Sequence, residues 1–208
     1  AAEIAAVLAF SAIRNNDKVG LVMFTDKIEK FIPPRKGVSH VLQVIRDVLY
    51  FKPKGKGTDI ANALEYLNRV TSRKVIAFLI SDFFLPPEIP ASSSKDPSAQ
   101  HVGETVKKSL AIANKRHDLI AVTLNDPREM ELPDCGLITL ADAETGKVSI
   151  VDSSSAALRK QYTQDNVGRL KTRERLFRLI GMDYIHVSTD VPYTDAIVKF
   201  FLKRRGRR

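Results

Sequence analysis

Short, nearly unbroken apolar runs alternate along this chain with helical patterns, and that alternation leaves few folds open to it. Runs of buried-strand type occupy residues 18–25 ("KVGLVMFT"), 75–81, 118–124 ("DLIAVTL") and 183–189 ("DYIHVST"). Between the first two, Val41, Leu42, Val44, Ile45, Val48 and Leu49 recur at helical spacing, as do Ile60, Ala63, Leu64, Leu67 and Val70. Ser39 and Thr58 stand where each of these helices would take its N-cap. Residues 1–16 read as a helix with Ile4, Val7 and Leu8 on one face. Another helix is expected near 103–116, a helical region over about 154–180, and a final helix opening at Pro192 with Tyr193, Ala196, Ile197, Phe200 and Phe201 inward. Strands alternating with helices predict an α/β fold: a doubly wound, mostly parallel sheet covered on both faces.

Two segments depart from that rhythm. "DKIEKFIPP" carries Pro33 and Pro34, which only an edge strand tolerates, so a short antiparallel edge strand is expected there. "CGLITLADAETGKVSIVD" reads as two strands around a turn at Glu144–Thr145–Gly146–Lys147. Residues 125–180 as a whole are expected to be an α+β insertion packed on one end of a single domain spanning 1–208. A long loop over 84–101, with four prolines and four serines, follows the second buried strand.

The 208 residues are 44% hydrophobic, ample for a core, and no run of 18 apolar residues is present. One cysteine, Cys135, excludes an internal disulfide and fits a reducing, cytoplasmic setting. The net charge of +9 is unevenly placed. Arg169, Lys171, Arg173, Arg175 and Arg178 stand against one acid, giving +4; Lys203, Arg204, Arg205, Arg207 and Arg208 give +5; the rest of the chain is neutral. These two clusters form a candidate basic patch for nucleic acid or an anionic surface, against the blander reading of a solvated helix face and a frayed tail. Only Phe177 lies among them, so base stacking is poorly supplied.

In an open α/β sheet, ligands bind outside the carboxyl ends of the strands. Two segments bring polar groups to that edge: "GKGTDI", with Thr58 and Asp59, and "ISDFF", with Ser81 and Asp82. Such oxygens suit Mg²⁺, Mn²⁺ or Ca²⁺. Equally, Asp82 at a strand end can cap a turn or receive backbone N–H groups. A strand-end Asp can also serve as nucleophile in phosphoryl transfer, but residue 84, where a second Asp is usual, is Phe. No nucleophile–base–acid order or phosphate loop appears, Gly55 and Gly57 being too sparse for one, and His117 and His186 read as structural. The chain is therefore not expected to be an enzyme, and no small-molecule substrate is expected.

The stretches "LAFSAIRNNDKVGLVMFTDKIEKFIPPRKG", "GKGTDIANALEYL", "VIAFLISDFF" and "RHDLIAVTLNDPREMELPDCGLITLADAETGKVSIVD" resemble the bacterial family called domain of unknown function 58. The resemblance implies a von Willebrand factor A-like fold. It also implies a partner: members are typically encoded beside MoxR-type AAA+ ATPases and are thought to act with them in assembly or chaperone-like work. Domains of this fold hold a divalent cation at a metal-ion-dependent adhesion site built by three loops. Thr58 matches the threonine of one loop and Asp82 the aspartate of another, with Asp59 and Ser81 as possible support. The third loop, an Asp-x-Ser-x-Ser after the first strand, has no counterpart; "DSSS" at 152–155 falls in the late insertion. The resemblance thus implies an N-terminally truncated member whose full-length form binds Mg²⁺ or Mn²⁺ and which itself binds weakly or not at all. It further implies that the central first strand is missing, which would leave the strands at 19–24 and 75–80 with open edges prone to self-association.

Overall fold

The computed structural model describes residues 1–84, 97–141 and 148–206, and for residues 97–102 the backbone alone. The expected turn at 144–147, Arg207, Arg208 and most of the 84–101 loop lie outside the described residues. The chain falls into two compact units, 1–73 and 74–208.

The first unit comprises α1 (Ala2–Arg14), β1 (Val19–Phe24), β2 (Ile28–Arg35), α2 (Val38–Leu49) and α3 (Ile60–Val70). β1 and β2 pair antiparallel, Leu21 opposite Ile32 and Val22 opposite Phe31, as the prolines predict. The register slips between Val19 and Leu21, where Pro33 and Pro34 cannot donate to a ladder. Gly20 faces that irregularity: a Cβ there would lie 2.9 Å from Pro34 Cγ. Ile32, Val41, Val44, Ile60 and Leu64 form the core. α2 begins at Val38 after Gly37, so Ser39 lies inside the helix and does not cap it. α3 is capped by Asp59, not Thr58: the Asp59 carboxylate accepts from Asn62 N–H at 2.9 Å.

The second unit comprises β3 (Ile76–Ser81), α4 (Pro97–Arg116), β4 (Asp118–Asn125), α5 (Pro127–Met130), β5 (Leu137–Ala141), β6 (Val148–Asp152), α6 (Ala156–Leu179), β7 (Asp183–Ser188) and α7 (Tyr193–Arg205). α4 starts six residues before the expected 103, at Pro97, a residue suited to a first helical turn. Pro192 stands one residue ahead of the last helix, at its N-cap.

β3, β4 and β7 form a parallel sheet in that order, and α4 and α6 make the two crossovers it requires. The central strand carries the core. Leu119, Ile120, Ala121 and Val122 are all buried, each large side chain contributing about 1.5–3 kcal/mol. The expectation that residues 75–81 are a buried strand is corrected: β3 pairs with β4 alone among the described residues, Leu79 is its one buried residue, and Ile76 is 61% exposed. β1 is likewise half-buried and, among the described residues, pairs only with β2; β1 and β3 belong to different sheets.

Register fixes which helix covers which face. Phe78, Ile120 and Asp183 form one row. Phe201 of α7 stacks on Phe78, and Arg204 of α7 bonds Asp118 and Asp183. Tyr184 and His186 face the opposite side, where Phe177 and Glu174 of α6 meet them. α6 and α7 therefore cover opposite faces. The 125–180 segment is accordingly not all insertion. β5 and β6 form the expected antiparallel hairpin, but the last two turns of α6 bury Arg173, Leu176 and Phe177 and belong to the sheet.

His117, buried ahead of β4, accepts Val75 N–H at Nδ1 (3.4 Å). Burial, followed by the charges of Arg116 and Lys74, holds its pKa below the usual histidine value. Below about pH 6.5 the unfolded chain takes up a proton that folded His117 resists, so stability is lost as pH falls. Unfolding free energy should drop from pH 7 to 5, and drop less in His117→Gln. An equal drop in both would show that another group governs it.

Candidate strand-end site

The carboxyl ends of β3, β4 and β7 meet in one hydrogen-bond network organised by a buried arginine. At the end of β3, Asp82 Oδ1 accepts from Phe84 N–H (3.1 Å) and from the Ser81 hydroxyl (3.2 Å). Ser81 Oγ in turn accepts from Phe83 N–H (3.0 Å). These are local side-chain turns of the kind Asp and Ser favour. Asp82 thus makes the turn-capping contacts that are one of the three uses the sequence leaves open. Phe83 adopts a positive φ of 51°, rare for a bulky residue. It is held there by burial and by an edge-on contact with Phe177 at 5.2 Å.

Arg173 reaches these ends from α6. One guanidinium nitrogen donates to the Asp82 carbonyl at 2.6 Å and another to Asn125 Oδ1 at 2.8 Å. Because Arg173 fixes the oxygen of the Asn125 amide, Asn125 Nδ2 is the end that faces His186 Nδ1 at 3.3 Å. His186 Nδ1 thus accepts, and Nε2 donates to Glu174 Oε1 at 3.0 Å. Thr123 Oγ1 lies 2.7 Å from the same Nδ1. Glu174 also holds Arg178 at 3.0 Å. Arg173 Nε is buried without a hydrogen-bond partner. Desolvation lowers the Arg173 pKa, opposed by the charges of Glu174, Asp82 and Glu129, and the group stays charged.

Arg173 is the residue that sequence reasoning misplaced. As a member of the basic patch it belonged on the surface, yet it is 7% exposed. Its helical spacing carried the signal: Leu176 and Phe177 follow it at i+3 and i+4, so it falls on the apolar stripe. Arg169, Lys171, Arg175 and Arg178 are exposed on the same helix, with Arg169 stacked 4.7 Å over Phe84. On α7, Lys203 and Arg205 are exposed, and Arg204 is engaged with Asp118 and Asp183. Of the described patch residues, Arg173 is buried and Arg178 and Arg204 are engaged in ion pairs.

Thr58 belongs to the first unit and Asp82 to the second. Near Thr58, the buried Thr25 hydroxyl lies 3.0 Å from both Asp26 Oδ1 and Glu29 Oε1. Glu29 Oε1 accepts Gly55 N–H (2.6 Å) and Lys54 N–H (3.1 Å), and these bonds, Gly55 foremost, lower its pKa. Thr25 carbonyl accepts Asp59 N–H at 2.8 Å. The "KPKGKGTD" loop is thereby held to the β1–β2 turn. At 152–155, Asp152 and Ser154 bond each other, Ser153 closes onto Gly136, and Ser155 caps α6. Every one of these side chains has a local structural task. Among the described residues no group of three or more His, Cys, Asp or Glu side chains is placed to hold a metal ion. Ser81 and Asp82 offer three side-chain oxygens beside a guanidinium, which falls short of the six that Mg²⁺ takes.

A family model described as "Protein of unknown function DUF58" matches residues 1–172. The chain belongs to this family. It is 28% identical over 203 residues to the uncharacterized protein Rv1480 of Mycobacterium tuberculosis and, equally, to the uncharacterized protein Mb1516 of Mycobacterium bovis. The match covers 97% of this chain, which spans 58% of the length of those relatives. An uncharacterized Mycobacterium avium protein is 28% identical over 176 residues, 84% of this chain and 94% of that protein. Among solved structures, the conserved hypothetical protein BatB from Bacteroides thetaiotaomicron superposes with a TM-score of 0.51 at 14% identity, covering 100% of this chain and 89% of that one. That likeness speaks to the fold alone. No helix among the described residues is long and apolar enough to cross a membrane.

Proposed function

We propose that this DUF58 chain is a von Willebrand factor A-like protein-interaction module, and that the carboxyl end of its parallel sheet is the docking face. The doubly wound arrangement of that fold is part of the same reading. The observation that carries it is Arg173, a buried cation tying the ends of β3 and β4 into one rigid surface. Rigid scaffolding of loops at this edge is what a binding site in an α/β sheet needs. The partner implied by the resemblance is a MoxR-type AAA+ ATPase. A divalent cation, Mg²⁺ or Mn²⁺, would require ligands beyond Thr58, Ser81 and Asp82, and the longer relatives have chain to supply them. The Asp82 groups already hold a turn, which favours interaction over a hydrolase using Asp82 as nucleophile. The burial of Arg173 and the pairing of Arg178 and Arg204 reduce the basic patch, and with only Phe177 among its residues nucleic acid is the weaker reading.

Asp82→Ala keeps the backbone carbonyl that Arg173 holds, so it tests the face without removing the clamp. Binding of a MoxR-type AAA+ ATPase, followed by biolayer interferometry, should weaken tenfold or more, about 1.4 kcal/mol. Arg175→Ala should change it less than twofold. Chelation with EDTA should weaken binding by a longer relative that supplies the further ligands and leave this chain unaffected. Unchanged binding by Asp82→Ala would overturn the reading.

A further inference from the structure

β7 closes the parallel sheet on one side, and among the described residues it pairs with β4 alone. Every second residue of β7 therefore turns its N–H and C=O away from β4. An open groove of about 1090 Å³ runs along that side. It is lined by consecutive residues of the strand, Asp183 to His186, and not by alternate ones. Side chains of one sheet face alternate, so a consecutive lining means that the groove follows the strand's edge.

Both rims of the groove carry basic side chains, and Asp195 of α7 also lines it. Arg178 at the end of α6 stands on one face of the sheet. Lys199 and Lys203, one turn apart on α7, stand on the other. Arg204 is occupied by Asp118 and Asp183, which removes Asp183 as a counter-charge for the two lysines. Arg178 is held by Glu174, so the positive charge without an ion pair among the described residues is that of Lys199 and Lys203, and the groove joins an unused backbone ladder to these two lysines.

We propose that the β7 edge is a docking groove for an extended acidic peptide segment of a partner protein, which adds to the sheet as a further strand. Main-chain bonds to β7 would supply affinity, and carboxylates on alternate residues, which share one face of the added strand, would meet Lys199 and Lys203. A second copy of this chain fits less well, because edge-to-edge pairing would bring two basic rims together. A nucleic-acid backbone has no peptide groups to continue a ladder. The groove lies along the side of the sheet, so the proposal stands apart from the strand-end reading.

The test is fluorescence anisotropy with a labelled peptide of about twelve alternating Glu and Thr residues, long enough to cover the strand. The same peptide N-methylated at every second nitrogen keeps the charge and loses the ladder. The unmodified peptide should bind, the N-methylated one should bind at least tenfold more weakly, and K199E/K203E should lose at least tenfold. The control K160E, elsewhere on α6, should stay within twofold, with melting curves confirming that each variant folds. Three results would overturn the proposal: no saturation up to about 1 mM, equal binding of the N-methylated peptide, or tighter binding of a single-stranded oligonucleotide through the same lysines. Sedimentation showing a dimer abolished by K199E/K203E would do so as well.

Discussion

Arg173→Ala should destabilise the second unit by about 2–4 kcal/mol, whereas Arg175→Ala, two residues away on the same helix, should cost less than about 0.5 kcal/mol. The difference follows from burial. Removing Arg173 strands the Asp82 carbonyl and Asn125 Oδ1, both of which depend on it. It also frees the Asn125 amide to rotate, so His186 loses the donor that fixes its tautomer. Arg175 is exposed and holds no such bond among the described residues. Chemical denaturation read by far-UV circular dichroism gives the two values. Amide exchange at residues 82–84 and 125 should accelerate in Arg173→Ala and not in Arg175→Ala. Equal losses for the two variants would mean that the network contributes no more than a surface charge does.

Gly55→Ala should loosen the loop before α3 and cost the first unit about 1–3 kcal/mol through overpacking. A Cβ at residue 55 would fall 2.0 Å from Asp26 Oδ1 and 2.2 Å from Thr25 Oγ1. The Asp26 side chain is free to swing, but Thr25 is buried and already shares its hydroxyl between two carboxylates. The loop must therefore withdraw, stretching the 2.6 Å bond from Gly55 N–H to Glu29. Lys56→Ala, one residue on, should be nearly neutral. Hydrogen exchange at Lys54, Gly55 and Asp59 should rise in Gly55→Ala by an order of magnitude or more. Unchanged protection there would show that the turn yields at no cost.

The two effects differ in how far each could be foreseen. Arg173 lay in plain view as one of five basic residues between 169 and 178, and its i+3, i+4 relation to Leu176 and Phe177 placed it on the inner stripe. Charge composition pointed the other way, because a charge run is usually solvated. Gly55 gave no such sign. A glycine in a loop has many uses, and only the approach of Thr25 and Asp26, thirty residues upstream, shows which one applies. The caps behave similarly. Thr58 and Asp59 are both good N-caps, and only backbone geometry decides that Asp59 takes the role.

The sequence by itself determined the order of strands and helices, the antiparallel β1–β2 pair forced to an edge by its prolines, the β5–β6 hairpin and the family. These are local or nearest-neighbour properties, written in periodicity and turn chemistry. Tertiary structure alone decided that β4, and not β3, is the buried strand, because burial depends on how many neighbours a strand has. It alone turned one arginine of a basic run into the tie between two strand ends. It alone showed that the basic residues of α6 and α7 flank an open strand edge, since that alignment joins side chains distant in the chain through a sheet no linear pattern encodes.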